Sequence, residues 1–220
     1  MMTKKEIVLD SIVAQGMLPL FFYEDVEVSL QVMRILYRAG VRVFEYTNRG
    51  SQALDNFSEM IKLKRNELPD LHLGIGTIKT VDEAEAFISA GADFIVSPIV
   101  NPEVGKIAHR HKLLWIPGCM TPTEIFTAQQ HEAALIKLFP AGTLGPGFLT
   151  AIRELFAGQL FIPTGGVDTT KESIQAWFHA GVCAVGMGSK LISKKMLDNQ
   201  LYDQLYNDTL HVTELIQSCK

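Results

Sequence analysis

Cysteine is scarce in this 220-residue sequence: Cys119, Cys183 and Cys219 are widely spaced and form no CxxC pair. That usage excludes a disulfide framework and a cysteine-based zinc site, and it suits reduced thiols in a cytoplasmic protein. Long apolar runs are missing too, so no membrane span is expected. The first sixteen residues mix Lys4, Lys5, Glu6 and Asp10 with Ile7, Val8, Leu9, Ile12 and Val13, which suits an amphipathic helix over Met1–Gly16 and not a secretory signal. Positive charge is in short supply. Twenty Lys and Arg against 24 Asp and Glu give a net charge of −4, which argues against a nucleic-acid or anionic-membrane partner but allows a local basic pocket for a small anion. None of the six histidines falls at the C-terminal end of an expected strand, and His109 and His111 read as a solvated pair, so no metal site is expected. There is no GxSxG, and no GxGxxG follows the first strand.

What is present is a rhythm. The composition is that of one globular domain, 47% hydrophobic and 20% charged. Near-continuous apolar runs of strand length occur at Met17–Phe22, Val41–Thr47, Leu71–Thr77, Asp93–Pro98, Leu113–Gly118, Ala134–Pro140, Leu160–Thr164 and Val182–Val185. Helical patterns alternate with them. Asp25 opens one that stops at Ala39-Gly40, others run over Ser51–Lys64, Val81–Ala90 and Glu103–His111, and Thr121 caps a helix that begins with Pro122. Three more are expected: one through Phe148 to Leu155, one over Thr170–Ala180 and a last over Tyr202–Ile216. Strands apolar on both faces, alternating with helices, imply a buried parallel sheet. Eight such units without a composition break imply a single (β/α)8 barrel over residues 1–220, a TIM barrel with an added N-terminal helix.

In such a barrel the chemistry lies at the C-terminal strand ends. Lys137 sits in the middle of the apolar run Ala134–Pro140. One reading is a lysine whose head snorkels to water; the other is an amine kept neutral by apolar walls, ready to form a Schiff base. Alternation puts Val43, Glu45 and Thr47 on one face of the second strand, with Glu45 pointing into the barrel as a candidate acid/base, or else serving as a salt-bridged strand end. Gly74 and Gly76 allow close approach at the third strand, where Thr77 offers a hydroxyl and an amide. Thr164-Gly165-Gly166 and Gly186-Met187-Gly188-Ser189 are two glycine turns at consecutive late strands, a pattern that suits a phosphate held by backbone amides. The glycine-rich stretch Ala141–Gly147 is expected to be a loop that adds donors. Lys79 and Lys190 lie just beyond strand ends and are rival amines. A base-catalysed isomerase or synthase using Glu45, or a non-catalytic sugar-phosphate binder, fits the same barrel.

The sequence resembles the class I aldolases that cleave 2-keto-3-deoxy-6-phosphogluconate, with the related 4-hydroxy-2-oxoglutarate activity. The residues that carry the resemblance are Gly40-Val41 through Glu45 and Thr47, Gly74-x-Gly76-Thr77, Ala92-x-Phe94-Ile95-Val96-Ser97-Pro98, Pro117-Gly118-x-Met120-Thr121-Pro122-Thr123-Glu124, Ile136-Lys137-Leu138-Phe139-Pro140, Pro163-Thr164-Gly165-Gly166-Val167 and Gly186-x-Gly188-Ser189. They occur in order over nearly the whole chain. The resemblance implies Lys137 as the Schiff-base lysine, Glu45 as the acid/base, and Arg49 and Thr77 on the pyruvyl carboxylate. It implies Thr164, Gly165, Gly166, Gly188 and Ser189 around the phosphate, Pro98 and Phe139 in the pocket, no cofactor, and a homotrimer. The substrate would be a phosphorylated keto sugar acid, with pyruvate as a product. Two departures bear on the distal end of the substrate. Phe22-Tyr23-Glu24-Asp25 stands where many relatives have a basic residue, and Gly142 where a polar one is common. Thr164 matches the phosphogluconate type more closely than the galactonate type.

Overall fold

In the computed structural model, which describes residues 2–220, the chain begins with a capping box. The Thr3 hydroxyl accepts from the Glu6 amide, and the Glu6 carboxylate accepts from the Thr3 amide, so helix α1 starts at Lys4 and runs to Gln15. Met1, placed in this helix by the sequence pattern, lies outside the described residues. The order then follows the expected rhythm: β1 (Met17–Phe21), α2 (Val26–Arg38), β2 (Val43–Thr47), α3 (Ala53–Glu67), β3 (His72–Gly76), α4 (Val81–Ala90), β4 (Phe94–Val96) and α5 (Pro102–Arg110). It continues with β5 (Leu114–Ile116), β6 (Gly118–Cys119), α6 (Pro122–Gln130), β7 (Leu135–Leu138), α7 (Ala141–Ile152) and β8 (Leu160–Pro163). α8 (Lys171–Ala180), β9 (Val185–Met187), α9 (Lys194–Asp198) and α10 (Tyr202–Cys219) complete the chain.

All strand pairs are parallel. One arc has the order β5-β4-β3-β2-β1-β9 and the other β6-β7-β8. Pro117 separates β5 from β6 because it has no N–H for the ladder, yet its carbonyl still accepts from the Lys137 amide at 2.9 Å. A parallel bridge between Thr164 and Gly186 joins the two arcs on the other side. The result is an α/β fold of the TIM-barrel type in which the fifth expected strand is interrupted at a proline.

Three local expectations need correction. The last expected strand, Val182–Val185, begins only at Val185, because pairing with β1 aligns Val185, Gly186 and Met187 with Met17, Leu18 and Pro19. The stretch Ala141–Gly147 is helical at its start, with a break at Gly145, whose φ of 70° and ψ of 163° interrupt α7. α9, absent from the sequence reading, fills the chain between β9 and α10.

The core has two parts. The larger packs the outer strand faces against the helices. The smaller fills the barrel itself with Leu18, Val43, Phe94, Leu114, Leu135 and Ile162, and Val8 and Ile12 of α1 join it from the N-terminal end. α1 is thus the floor of the barrel. Gln15 ties it there: its amide nitrogen donates to the carbonyls of Met17 and Val43 at 2.8 Å each, while its oxygen accepts from the Arg42 amide at 2.7 Å. Asp93, also at this end, accepts from the Leu73 amide at 2.8 Å and pairs with Lys64 and, at 2.9 Å, with Lys4. Polar chemistry inside the barrel is thereby confined to the opposite end.

Candidate active site

Two ionisable side chains occupy the barrel interior above the apolar layers. Glu45 lies on β2 in register with Leu20 of β1 and Gly74 of β3, and is 1% exposed. Its space comes from β3, since a Cβ at Gly76 would overlap the Glu45 carboxylate. Neither carboxylate oxygen has a hydrogen-bond partner among the described residues. Burial pushes the Glu45 carboxyl above the ordinary range, and the charges of Lys137 and Arg49 only partly oppose it. Lys137 lies on β7 between Gly118 and Ile162 in the ladder and is 5% exposed. Its Nζ is 5.1 Å from the centroid of the Phe139 ring, within the range where an aromatic face attracts a cation.

The loops at the C-terminal strand ends complete the surroundings. Arg49 follows β2 and is exposed; Thr77 follows β3 with a φ of 65°. A β-branched residue takes that conformation only where its surroundings enforce it, and such residues cluster at functional sites. Pro98 follows β4 and is half-buried. After β8, Thr164 is buried, with its side chain over Gly186, where a Cβ would overlap the hydroxyl. Gly165 and Gly166 follow with φ values of 83° and 100°, a left-handed backbone that glycine adopts without steric cost. The amide of Gly142 donates to the Gly165 carbonyl at 2.7 Å and holds that turn; this is the physical place of the stretch expected to be a loop of free donors. Gly188 and Ser189 follow β9.

A cavity of about 840 Å³ opens among these ends. Lys137, Glu45, Arg49, Thr77, Pro98 and Phe139 line it, and so do Thr164, Gly165, Gly166, Gly188 and Ser189. These are the eleven residues to which the resemblance gives a place in the site. Lys190 also lines it, whereas Lys79 does not. Among the described residues, no three His, Cys, Asp or Glu side chains converge as a metal-ligand set.

The family model for KDPG and KHG aldolases matches residues 9–207. The chain belongs to this family. It is an aldolase, a carbon–carbon lyase. Of the curated relatives, a 2-dehydro-3-deoxy-phosphogluconate aldolase of Treponema pallidum is 36% identical over 151 residues, 68% of this chain and 70% of the relative. A 2-dehydro-3-deoxy-6-phosphogalactonate aldolase of Escherichia coli is 32% identical over 120 residues, 54% of this chain and 58% of that one. Among solved structures, a KDPG aldolase of Legionella pneumophila, in which pyruvate was captured at low pH as a covalent carbinolamine intermediate, superposes with a TM-score of 0.84 at 25% identity, covering 92% of this chain and 96% of that one.

The aldolase cavity also has a wall of which the sequence reading placed only the side after β1 near the substrate and missed the side around α9. Phe22 and Tyr23 after β1, and Ile192, Lys194 and Leu197 around α9, line it. The Tyr23 hydroxyl donates to Asp198 at 2.9 Å, and Lys194 reaches both oxygens of the same carboxylate at 2.6 and 2.7 Å. This cluster clips α9 to the loop after β1. A five-residue helix has too few turns to show a period, so only its Ser193 cap, which accepts from the Met196 amide, was there to be noticed.

Proposed function

We propose that this chain is a class I aldolase that cleaves 2-dehydro-3-deoxy-6-phosphogluconate to pyruvate and glyceraldehyde 3-phosphate through a Schiff base on Lys137. The observation that carries the reading is the pair of Lys137 and Glu45 at the bottom of one cavity, one a buried amine and the other a buried carboxyl without a hydrogen-bond partner. Arg49 suits the substrate carboxylate because its planar guanidinium is bidentate and permanently charged, and Thr77 adds a hydroxyl beside it. Thr164, Gly165, Gly166, Gly188 and Ser189 suit the phosphate at the far end.

The proton traffic closes on Glu45. Neutral Lys137 adds to the C2 ketone, and Glu45 protonates the departing hydroxyl, giving water and a protonated imine. The carboxylate then takes the proton of the C4 hydroxyl as the C3–C4 bond breaks; the aldehyde leaves, and the electron pair of the broken bond stays with C3 and flows into the protonated imine, giving an enamine. Glu45 returns the proton to C3. Water then attacks the pyruvate imine, Glu45 takes up its proton, and collapse of the carbinolamine frees pyruvate and Lys137. The cycle starts and ends with Glu45 protonated, the state its burial favours. The Phe139 ring favours the cationic imine formed beside it.

The same steps serve 4-hydroxy-2-oxoglutarate, which would give pyruvate and glyoxylate, because the reacting atoms are shared. The 6-phosphogalactonate is the rival substrate; Thr164 supports the phosphogluconate. We take the chain as one catalytic domain acting as a homotrimer in the cytoplasm. Sedimentation at micromolar concentration tests the assembly, and a monomer would refute it.

Borohydride reduction in the presence of pyruvate tests the chemistry. The expected result is a stable pyruvate adduct mapped by peptide mass to Lys137, absent from Lys137→Ala. An adduct on Lys79 or Lys190, or none while a control aldolase is labelled, overturns the assignment. Appreciable turnover by Lys137→Arg would favour an isomerase or synthase that uses Glu45 as base. Binding of phosphorylated keto acids without turnover would favour a sugar-phosphate binder.

A further inference from the structure

The charges around the cavity are distributed unevenly. The wall after β1 contributes Glu24 and Asp25 and no cation to the lining, so it repels a dianion. Four basic side chains line the space: Arg49, Lys137, Lys190 and Lys194. Arg49 and Lys137 belong to the keto-acid end in the reading above. Lys194 is neutralised by both oxygens of Asp198, one helical turn away. Lys190 is placed differently. It directly follows Ser189 after β9, and its Nζ lies 3.0 Å from Oδ2 of Asp168, two residues beyond Gly166 after β8. The ammonium thus bridges the two glycine turns, and Asp168 is outside the lining.

We propose that Lys190 sets the preference for a phosphorylated substrate, donating to the distal phosphate between the Gly165-Gly166 and Gly188-Ser189 turns, with Asp168 as its positioning residue. An ammonium has three donors, so it can keep Asp168 and still meet a phosphate oxygen. The side chain is 57% exposed, which leaves it free to shift toward an incoming group. Lys190 in turn holds the Asp168 carboxyl below the ordinary range, so the tether stays charged through neutral pH. In this chain the cation comes from the β9 side, which compensates for the acidic sequence after β1.

For the identity of the substrate this inference rests on the aldolase reading; for phosphate recognition it does not. The decisive measurement is kcat/KM for 2-dehydro-3-deoxy-6-phosphogluconate divided by that for the unphosphorylated acid, in wild type, Lys190→Met and Lys190→Arg. Loss of one charge-assisted hydrogen bond predicts a fall of about tenfold in this ratio for Lys190→Met, mostly through KM, with most of it restored in Lys190→Arg. An unchanged ratio in Lys190→Met overturns the proposal. Calorimetric titration with inorganic phosphate is the second arm, expected to show binding by wild type and about tenfold weaker binding by Lys190→Met. Equal binding, or none by wild type, also overturns it. Pyruvate trapping on wild type runs in parallel: if no adduct forms, the aldolase reading fails, and the phosphate titration still decides the role of Lys190.

Discussion

Glu45 shows how a single residue couples stability to chemistry. Unfolded, its carboxyl ionises near the ordinary value of 4.5; folded, burial lets it keep the proton to higher pH. The folded state therefore binds more protons across that window, and its stability falls as pH rises through it, levelling off above the folded-state value. Glutamine does not titrate, so Glu45→Gln should melt higher than wild type at pH 7. The difference should shrink toward pH 4.5 in melts recorded from pH 4 to 8. The same variant should lose about 100-fold or more in kcat, the usual contribution of a positioned acid/base. A variant equal to wild type in activity would remove Glu45 from the mechanism. Glu45 and Lys137 could be picked out because each is an ionisable group in an apolar strand; alternation pointed Glu45 inward, while Lys137 stood between two readings until the resemblance favoured the Schiff base. Tyr23, Lys194 and Asp198 were not, because surface-type residues in a loop and a short helix announce nothing about the partners that folding brings to them.

At the level of elements, β2 and β3 fit together through the absence of one side chain. Gly76 lies beneath the Glu45 carboxylate, so Gly76→Ala should cost about 1–3 kcal/mol by overpacking and should lower kcat by displacing Glu45. Chemical denaturation and steady-state assays check the two effects. A stable and fully active Gly76→Ala would show that Glu45 has room to move. Strand identities were readable from apolar runs, but strand limits were not. Val182 to Ala184 is as apolar as Val185 to Met187, and only the register with β1 decides where pairing begins. Pro117 could be read as a strand end, yet the chain resumes pairing at Gly118, because the neighbouring β7 still offers partners. The cap at Thr121 was readable because its capping box is entirely local.

For the molecule as a whole, the barrel separates stability from catalysis along its axis. Ile12 is fully buried at the floor, far from the loops that carry the cavity, so Ile12→Ala should destabilise by about 2–4 kcal/mol and leave kcat at 25 °C near the wild-type value. A large loss of kcat in a folded Ile12→Ala would show that the floor and the site are coupled. The eightfold alternation made the barrel readable, while the closure of its base by α1 was not, since an amphipathic N-terminal helix could equally have lain against the outside. That closure has a consequence for traffic. With α1 and the apolar layers below Lys137 filling one end, the catalytic chamber is a cul-de-sac, and everything passes through the mouth at the other. If Lys137 carries the imine as proposed, an aldehyde cleaved off toward that mouth departs before water reaches the imine behind it. Pyruvate is then the last to leave, and an excess of aldehyde at the entrance turns the waiting enamine back toward bond formation, so that the same chamber builds the sugar acid it otherwise divides.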